Sequence, residues 1–203
     1  MLRLRHPAIL ALLAAPLAAQ EPVTYVVRNA GVEVGRETLR RERSADGGSS
    51  LLVEAQYPQG RLRLSGTLQR DASGVLVSFR LRLEGPDGPV SVMAASSGQR
   101  LVLRTESRAG ESGREVPAAR DVLILDENLL SLLAAVGERA GPTGTRLTAV
   151  WPRSGRRASF VATRTDRTVV LTGDLVGTLT LDEAGAMVRL ELPAQGLTAT
   201  AVR

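Results

Sequence analysis

The sequence has no cysteine and no lysine, and its single histidine is His6. These absences exclude a good deal of chemistry. Beyond residue 20 the chain cannot supply a Ser-His-Asp triad, a thiol nucleophile, a Schiff-base lysine, or an imidazole or thiolate metal site. Without cysteine there is no disulfide to draw on, so stability must come from a packed core, for which 203 residues are ample. Aromatic residues are also few: Tyr25, Tyr57, Phe79, Trp151 and Phe160. They do not furnish a base-stacking platform. The formal net charge of +5 includes Arg3 and Arg5, and the remaining excess is thinly spread. The pI near 11.0 therefore reflects arginine itself more than a basic face, and no nucleic-acid partner is expected. Phosphate-loop and calcium-loop spacings are missing. Ser112 in "AGESG" lacks the frame of a nucleophile elbow. No cofactor and no metal is expected.

What is present begins with "MLRLRHPAILALLAAPLAAQ". Two arginines, an apolar run from Ala8 to Leu17 and small residues follow one another in the order of a secretory signal. The run is shorter than the roughly 20 apolar residues a bilayer span needs. The expectation is a signal peptide over 1–20, cleaved near Ala19 or Gln20, and a periplasmic or secreted protein. The alternative is an uncleaved N-terminal anchor. No later segment is long and apolar enough to span as a helix.

Period-two alternation dominates the rest and predicts strands. In "GRLRLSGTLQRD", Leu62, Leu64, Gly66 and Leu68 share one face. After Asp71-Ala72-Ser73-Gly74, the residues Val75, Val77, Phe79, Leu81 and Leu83 share another, so the two runs form a hairpin. Similar pairs turn at Asn29-Ala30-Gly31, at 85–88, at 96–99 and at Asp182-Glu183-Ala184-Gly185; after the last, Val188, Leu190 and Leu192 point inward. Twenty glycines and ten prolines suit short turns. Residues 109–120, "AGESGREVPAAR", are expected to be a flexible loop. The fold class is mainly β: one domain over 21–203, a curved antiparallel sheet (half-barrel or barrel) of about a dozen strands.

One stretch differs. In "DVLILDENLLSLLAAVGERAG" a helix is expected over 127–139. Asp126 stands at the N-cap, Leu129, Leu132, Leu133 and Val136 form an apolar stripe, and Gly141-Pro142 stops the helix. A lone amphipathic helix in a β protein buries its stripe on the concave side of the sheet. It is there core, lid over an apolar cavity, or both. The remaining enzyme route, paired carboxylates, would use Asp121 and Asp126; capping by Asp126 and solvation of Asp121 is the reading adopted, and no enzyme is expected. In "WPRSGRRASF", Arg153, Arg156 and Arg157 crowd one turn. They are candidate anion ligands, against the alternative of a solvated turn.

The order of leader, "YVVRNAGVEVGRETLRRE", meander, "VLILDENLLSLLAAV" and "TLTLDEAGAMVRLELPAQG" resembles the uncharacterised secreted β-domains of Gram-negative bacteria. Those are similar in layout to the lipoprotein-sorting (outer-membrane lipoprotein carrier) superfamily. The resemblance implies an incomplete antiparallel barrel wrapped around helix, with a cavity that takes acyl chains. This chain departs from the carriers in having one clear helix and few aromatics. The function expected is thus a non-catalytic periplasmic module holding a lipid or acylated partner. Leu129, Leu132, Leu133 and Val136 would line its cavity, with Trp151 near the mouth. The rival expectation is an envelope interaction or scaffold domain whose interior is simply full.

Overall fold

The computed structural model describes residues 21–202; the leader expected over 1–20 and the cleavage expected near Ala19 or Gln20 lie outside the described residues. Fifteen strands follow one another. The first eight are β1 (Val23–Asn29), β2 (Val32–Arg43), β3 (Ser49–Tyr57), β4 (Leu62–Arg70), β5 (Leu76–Gly85), β6 (Gly88–Ser97), β7 (Arg100–Ser107) and β8 (Gly110–Pro117). After the short β9 (Val122–Ile124) comes a 3-10 turn, Leu130–Leu133, that runs into one turn of α-helix, α1 (Ala134–Gly137). The chain then forms β10 (Thr145–Val150), β11 (Arg157–Thr165), β12 (Thr168–Gly173), β13 (Gly177–Leu181), β14 (Met187–Leu192) and β15 (Leu197–Val202).

All fifteen belong to a single sheet ordered β8-β7-β6-β5-β4-β3-β2-β1-β15-β14-β13-β12-β11-β10-β9. Every pairing is antiparallel except β9 with β10. The sheet curls into a nearly closed barrel whose two edges, β8 and β9, are neighbours in sequence but do not pair. The dozen strands expected from alternation become fifteen partly because β8 was hidden. Residues 110–117 form a paired strand, not a flexible loop, with Arg104 opposite Gly113 and Val102 opposite Glu115. Only Val116 in it is buried, so the stretch lacks the apolar alternation that marks the others.

Bulges shift two of the expected inward faces. Between β4 and β5 the register slips at Gln69/Arg70. Leu76 then turns inward at 2% exposure while Val77 stands outside at 42%. Between β13 and β14 it slips at Thr180/Leu181, and Met187 takes the interior place expected of Val188. An extra residue in one strand re-aims every side chain on one flank of the bulge.

The helical segment lies inside. Every residue from Leu129 to Gly137 is buried, so it is covered on all sides and not along one stripe. It is also shorter than 127–139. Asp126 does not cap it: its carboxylate accepts the Asn128 N–H at 2.9 Å, and Asp126 bridges to Leu129 in extended backbone. Helical geometry starts only at Leu130. Val136 of the segment and Phe79, Leu179, Leu190 and Ala199 of the wall are fully buried in one core. Each large apolar side chain buried there stabilises by about 1.5–3 kcal/mol before entropy is counted. Among the described residues no helix is long and apolar enough to cross a membrane.

Candidate functional site

β10 runs from one end of the barrel at Thr145 to the other at Val150–Trp151, and the helical segment runs back between the same two ends. The end carrying Trp151 holds Leu129, Leu133 and Arg156 of the residues singled out from the sequence.

The first two N–H groups of the helical segment have no partner inside the segment. A carboxylate from the barrel wall serves them. Glu37 occupies an inward position on β2, two residues before Leu39, and is fully buried. It accepts the Leu130 N–H at 2.9 Å and the Ser131 N–H at 2.7 Å, and the Tyr57 hydroxyl donates to it at 2.5 Å. Tyr57 reaches it across Gly35, where any Cβ would overlap the phenol ring. Burial pushes the Glu37 pKa up, against the hydrogen bonds from Ser131, Tyr57 and the Leu130 amide that favour the anion. Burial and the adjacent Glu37 charge together raise the Tyr57 hydroxyl well above the usual phenol range.

Closer to the mouth, Asp126 is gripped in a two-point ion pair. Arg153 Nε reaches its Oδ2 at 2.7 Å and Nη2 its Oδ1 at 3.0 Å, and Glu127 lies 3.2 Å from the same guanidinium. Burial opposes the Arg153 cation, but Asp126 and then Glu127 outweigh it, so its pKa rises above the ordinary arginine value. Beside this pair the guanidinium of Arg156 stacks on the Trp151 ring, 3.7 Å from its centroid. Between them opens a cavity of about 180 Å³ walled largely by leucines, among them Leu125, Leu129, Leu133, Leu175, Leu192 and Leu197.

The structure thus brings Leu129, Leu133, Trp151 and Arg156 to one cavity. Leu132 and Val136 are buried deeper, at 1% and 0% exposure, and do not line it. The three arginines of the 151–157 turn do not converge: Arg153 is paired with Asp126, Arg156 covers Trp151, and Arg157 donates to the Glu115 carbonyl of β8 at 3.4 Å. Asp121 and Asp126 sit at opposite ends of β9 and face different cavities. Glu37 and Tyr57 escaped the sequence reading. The available signal was phase: Glu37 falls in step with Leu39, and Tyr57 with Leu51, Val53 and Ala55, so both were placed to point inward.

No protein-family model matches the chain, and no curated protein does. Solved structures do. A DUF1089 family protein from Pseudomonas aeruginosa superposes with a TM-score of 0.51 at 15% identity, over 94% of this chain and 97% of that one. A beta-barrel-like protein of domain of unknown function DUF1849 from Brucella abortus gives a TM-score of 0.45 at 11% identity, over 90% and 95% of the two chains. At such identity the first likeness shows a fold and nothing more: a barrel-like β domain. Neither description names the lipoprotein-sorting superfamily.

Proposed function

We propose that this is a non-catalytic periplasmic protein that holds the end of an apolar ligand, a lipid or acyl chain, in the mouth cavity beside Trp151. One observation carries the reading: a leucine-walled space of about 180 Å³ lies at one rim of a barrel whose middle is packed. That volume is similar to the engineered apolar cavities of roughly 150 Å³ that stay dry and take up benzene. It suits a few carbons of a chain and not a whole lipid. Arg156, exposed on the face of Trp151, stands where a carboxylate or headgroup would emerge. The signal-like leader and the resemblance to the lipoprotein-sorting superfamily point the same way. The separation of Asp121 from Asp126, which line different cavities, supports the non-catalytic part of the reading, since that one candidate carboxylate pair is apart.

Trp151 is the only tryptophan, so its fluorescence reports this cavity alone. A fatty acid brominated at its chain end should quench it saturably. Leu197→Arg, a change at a half-buried wall position, should abolish quenching while the circular dichroism stays native. No quenching of the unaltered protein would reject the ligand. It would leave the second reading, an envelope scaffold domain, which the fully packed interior around Val136 and Phe79 favours. N-terminal sequencing of protein from a periplasmic extract tests export, with a start expected near Ala19 or Gln20.

A further inference from the structure

The opposite end of the barrel gathers arginines that have no carboxylate partner among the described residues. The inward-facing run Leu64, Gly66, Leu68 on β4 terminates in Arg70, which is 6% exposed. Its Nε–H is buried and unbonded, and its Nη1 donates only to the Gly74 carbonyl at 3.3 Å. Arg139, just past α1, donates from Nη2 to that same carbonyl at 3.1 Å. Its remaining bonds go to the carbonyls of Ala135 at 3.0 Å and Arg120 at 3.2 Å. The Arg120 side chain lies over Gly74 as well. Three guanidinium groups therefore surround one turn. None of the three forms an ion pair among the described residues.

The carboxylates nearby do not balance them. Glu138 is held by Arg41, and Asp121 is exposed at the rim. Burial, then the neighbouring Arg139 charge, bring the Arg70 pKa down to about 9, which still leaves it a cation at neutral pH. Burial likewise lowers Arg139, and in both residues the Glu138 charge only partly offsets the shift. A buried cation with unused donors and like charges beside it is costly unless a counter-charge arrives. The space for one exists. Arg70, Arg120, Arg139, Asp121 and Glu138 line a cavity of about 430 Å³.

We propose that this cavity binds a phosphate group between Arg70, Arg120 and Arg139. Guanidinium forks match tetrahedral oxyanions by charge-assisted, often two-point hydrogen bonds. Charge selects phosphate over carboxylate. Among the lining residues, with Glu138 already neutralised by Arg41, the guanidinium groups of Arg70, Arg120 and Arg139 stand against Asp121 alone, and this positive excess matches the charge of about −1.5 to −2 on a phosphate ester at neutral pH. The site is independent of the apolar cavity beside Trp151, since β10 separates the two along its whole length.

Calorimetric titration at constant ionic strength tests it, with inorganic phosphate in one arm and monomeric dihexanoyl phosphatidate in the other. Saturable binding that weakens about tenfold or more in Arg70→Met supports the site, as loss of one charge-assisted contact predicts. Arg120→Gln, at an exposed position, should weaken binding too without altering the fold. It keeps the test decisive if Arg70→Met unfolds. Binding of inorganic phosphate assigns a free phosphate or small ester; binding of phosphatidate alone assigns a lipid headgroup. Absence of binding in both arms, or affinity unchanged in a folded Arg120→Gln protein, overturns the proposal.

Discussion

Glu37 is the residue on which the buried helical segment depends, and Glu37→Gln isolates its contribution. The wild-type carboxylate accepts three hydrogen bonds: from the Leu130 and Ser131 amides and from the Tyr57 hydroxyl. The glutamine keeps one acceptor oxygen and sets an NH2 group where the other stood; both oxygens of the carboxyl, protonated or ionised, can accept, whereas the NH2 nitrogen cannot, so at least one buried amide faces a donor. A buried group left unsatisfied costs about 1–3 kcal/mol. In a domain of this size each kcal/mol lowers Tm by about 2–4 °C. A loss of about 2–12 °C is therefore expected, measured by thermal unfolding followed by circular dichroism. The pH dependence is the sharper test. Burial raises the Glu37 pKa above its value of 4.5 in the unfolded chain. Its contribution to stability is thus complete below pH 4.5 and is lost as pH rises through the folded-state value. Glutamine does not titrate. The gap in stability between wild type and Glu37→Gln should be widest near pH 4 and narrow toward neutrality. Asp46 and Asp71, whose pKa values are lowered by hydrogen bonds from Ser44 and Ser73, weaken both proteins alike as pH falls below 3.8. The difference between the two proteins cancels that effect. A gap that is constant, or that grows with pH, would refute this account of the carboxylate.

Arg153→Met should destabilise by about 3 kcal/mol, the lower end for stripping one partner from a buried ion pair, because Arg153 is 23% exposed while Asp126 is 1% exposed. Adding Asp126→Asn should recover part of that loss in urea titrations, and no recovery would mean that the pair does not matter. Gly173→Ala should cost about 1–3 kcal/mol: the residue has φ of 115°, and a Cβ would stand 2.8 Å from the Ser159 carbonyl. Gly185→Ala serves as its control, since it shares a positive φ but opens onto free space, and the two losses should differ clearly in the same assay.

The hairpin architecture was legible because half-wetted strands alternate, and because the Asp71–Gly74 and Asp182–Gly185 turns carry the glycine their geometry needs. Three things were not legible. The strand β8 is wet on both faces apart from Val116, so its pairing with β7 rests on backbone bonds that leave no mark in the sequence. The bulges that turn Leu76 and Met187 inward are set by register between strands, a property of pairs and not of either strand alone. The cap of the helical segment was assigned to Asp126 by proximity, yet it comes from Glu37, 93 residues away. Local capping rules hold when the helix end is wet; inside a barrel the wall can supply the acceptor instead. Leu129, Leu133 and Trp151 were found because apolar density marks an interior, and Arg70 was overlooked because a charged residue in phase with leucines was not read as buried.

The single parallel pairing follows from where the helical segment lies. β9 runs from the arginine end of the barrel toward the Trp151 end. A tight turn there would have sent the chain back along the wall as an antiparallel strand. Instead, residues 126–137 return through the interior, because nine consecutive buried residues, Leu129 to Gly137, have no wet face to offer a surface. The chain emerges at the arginine end, and β10 must set out in the same direction as β9. The segment thus acts as an internal crossover connection. It also fills the space that would have joined the two mouths, which is why the barrel holds a leucine-walled cavity at one end and a guanidinium-lined cavity at the other, and not one channel between them. Charge fixes it at both ends: Glu37 takes its first N–H groups, and Arg139 takes the Ala135 carbonyl in its last turn.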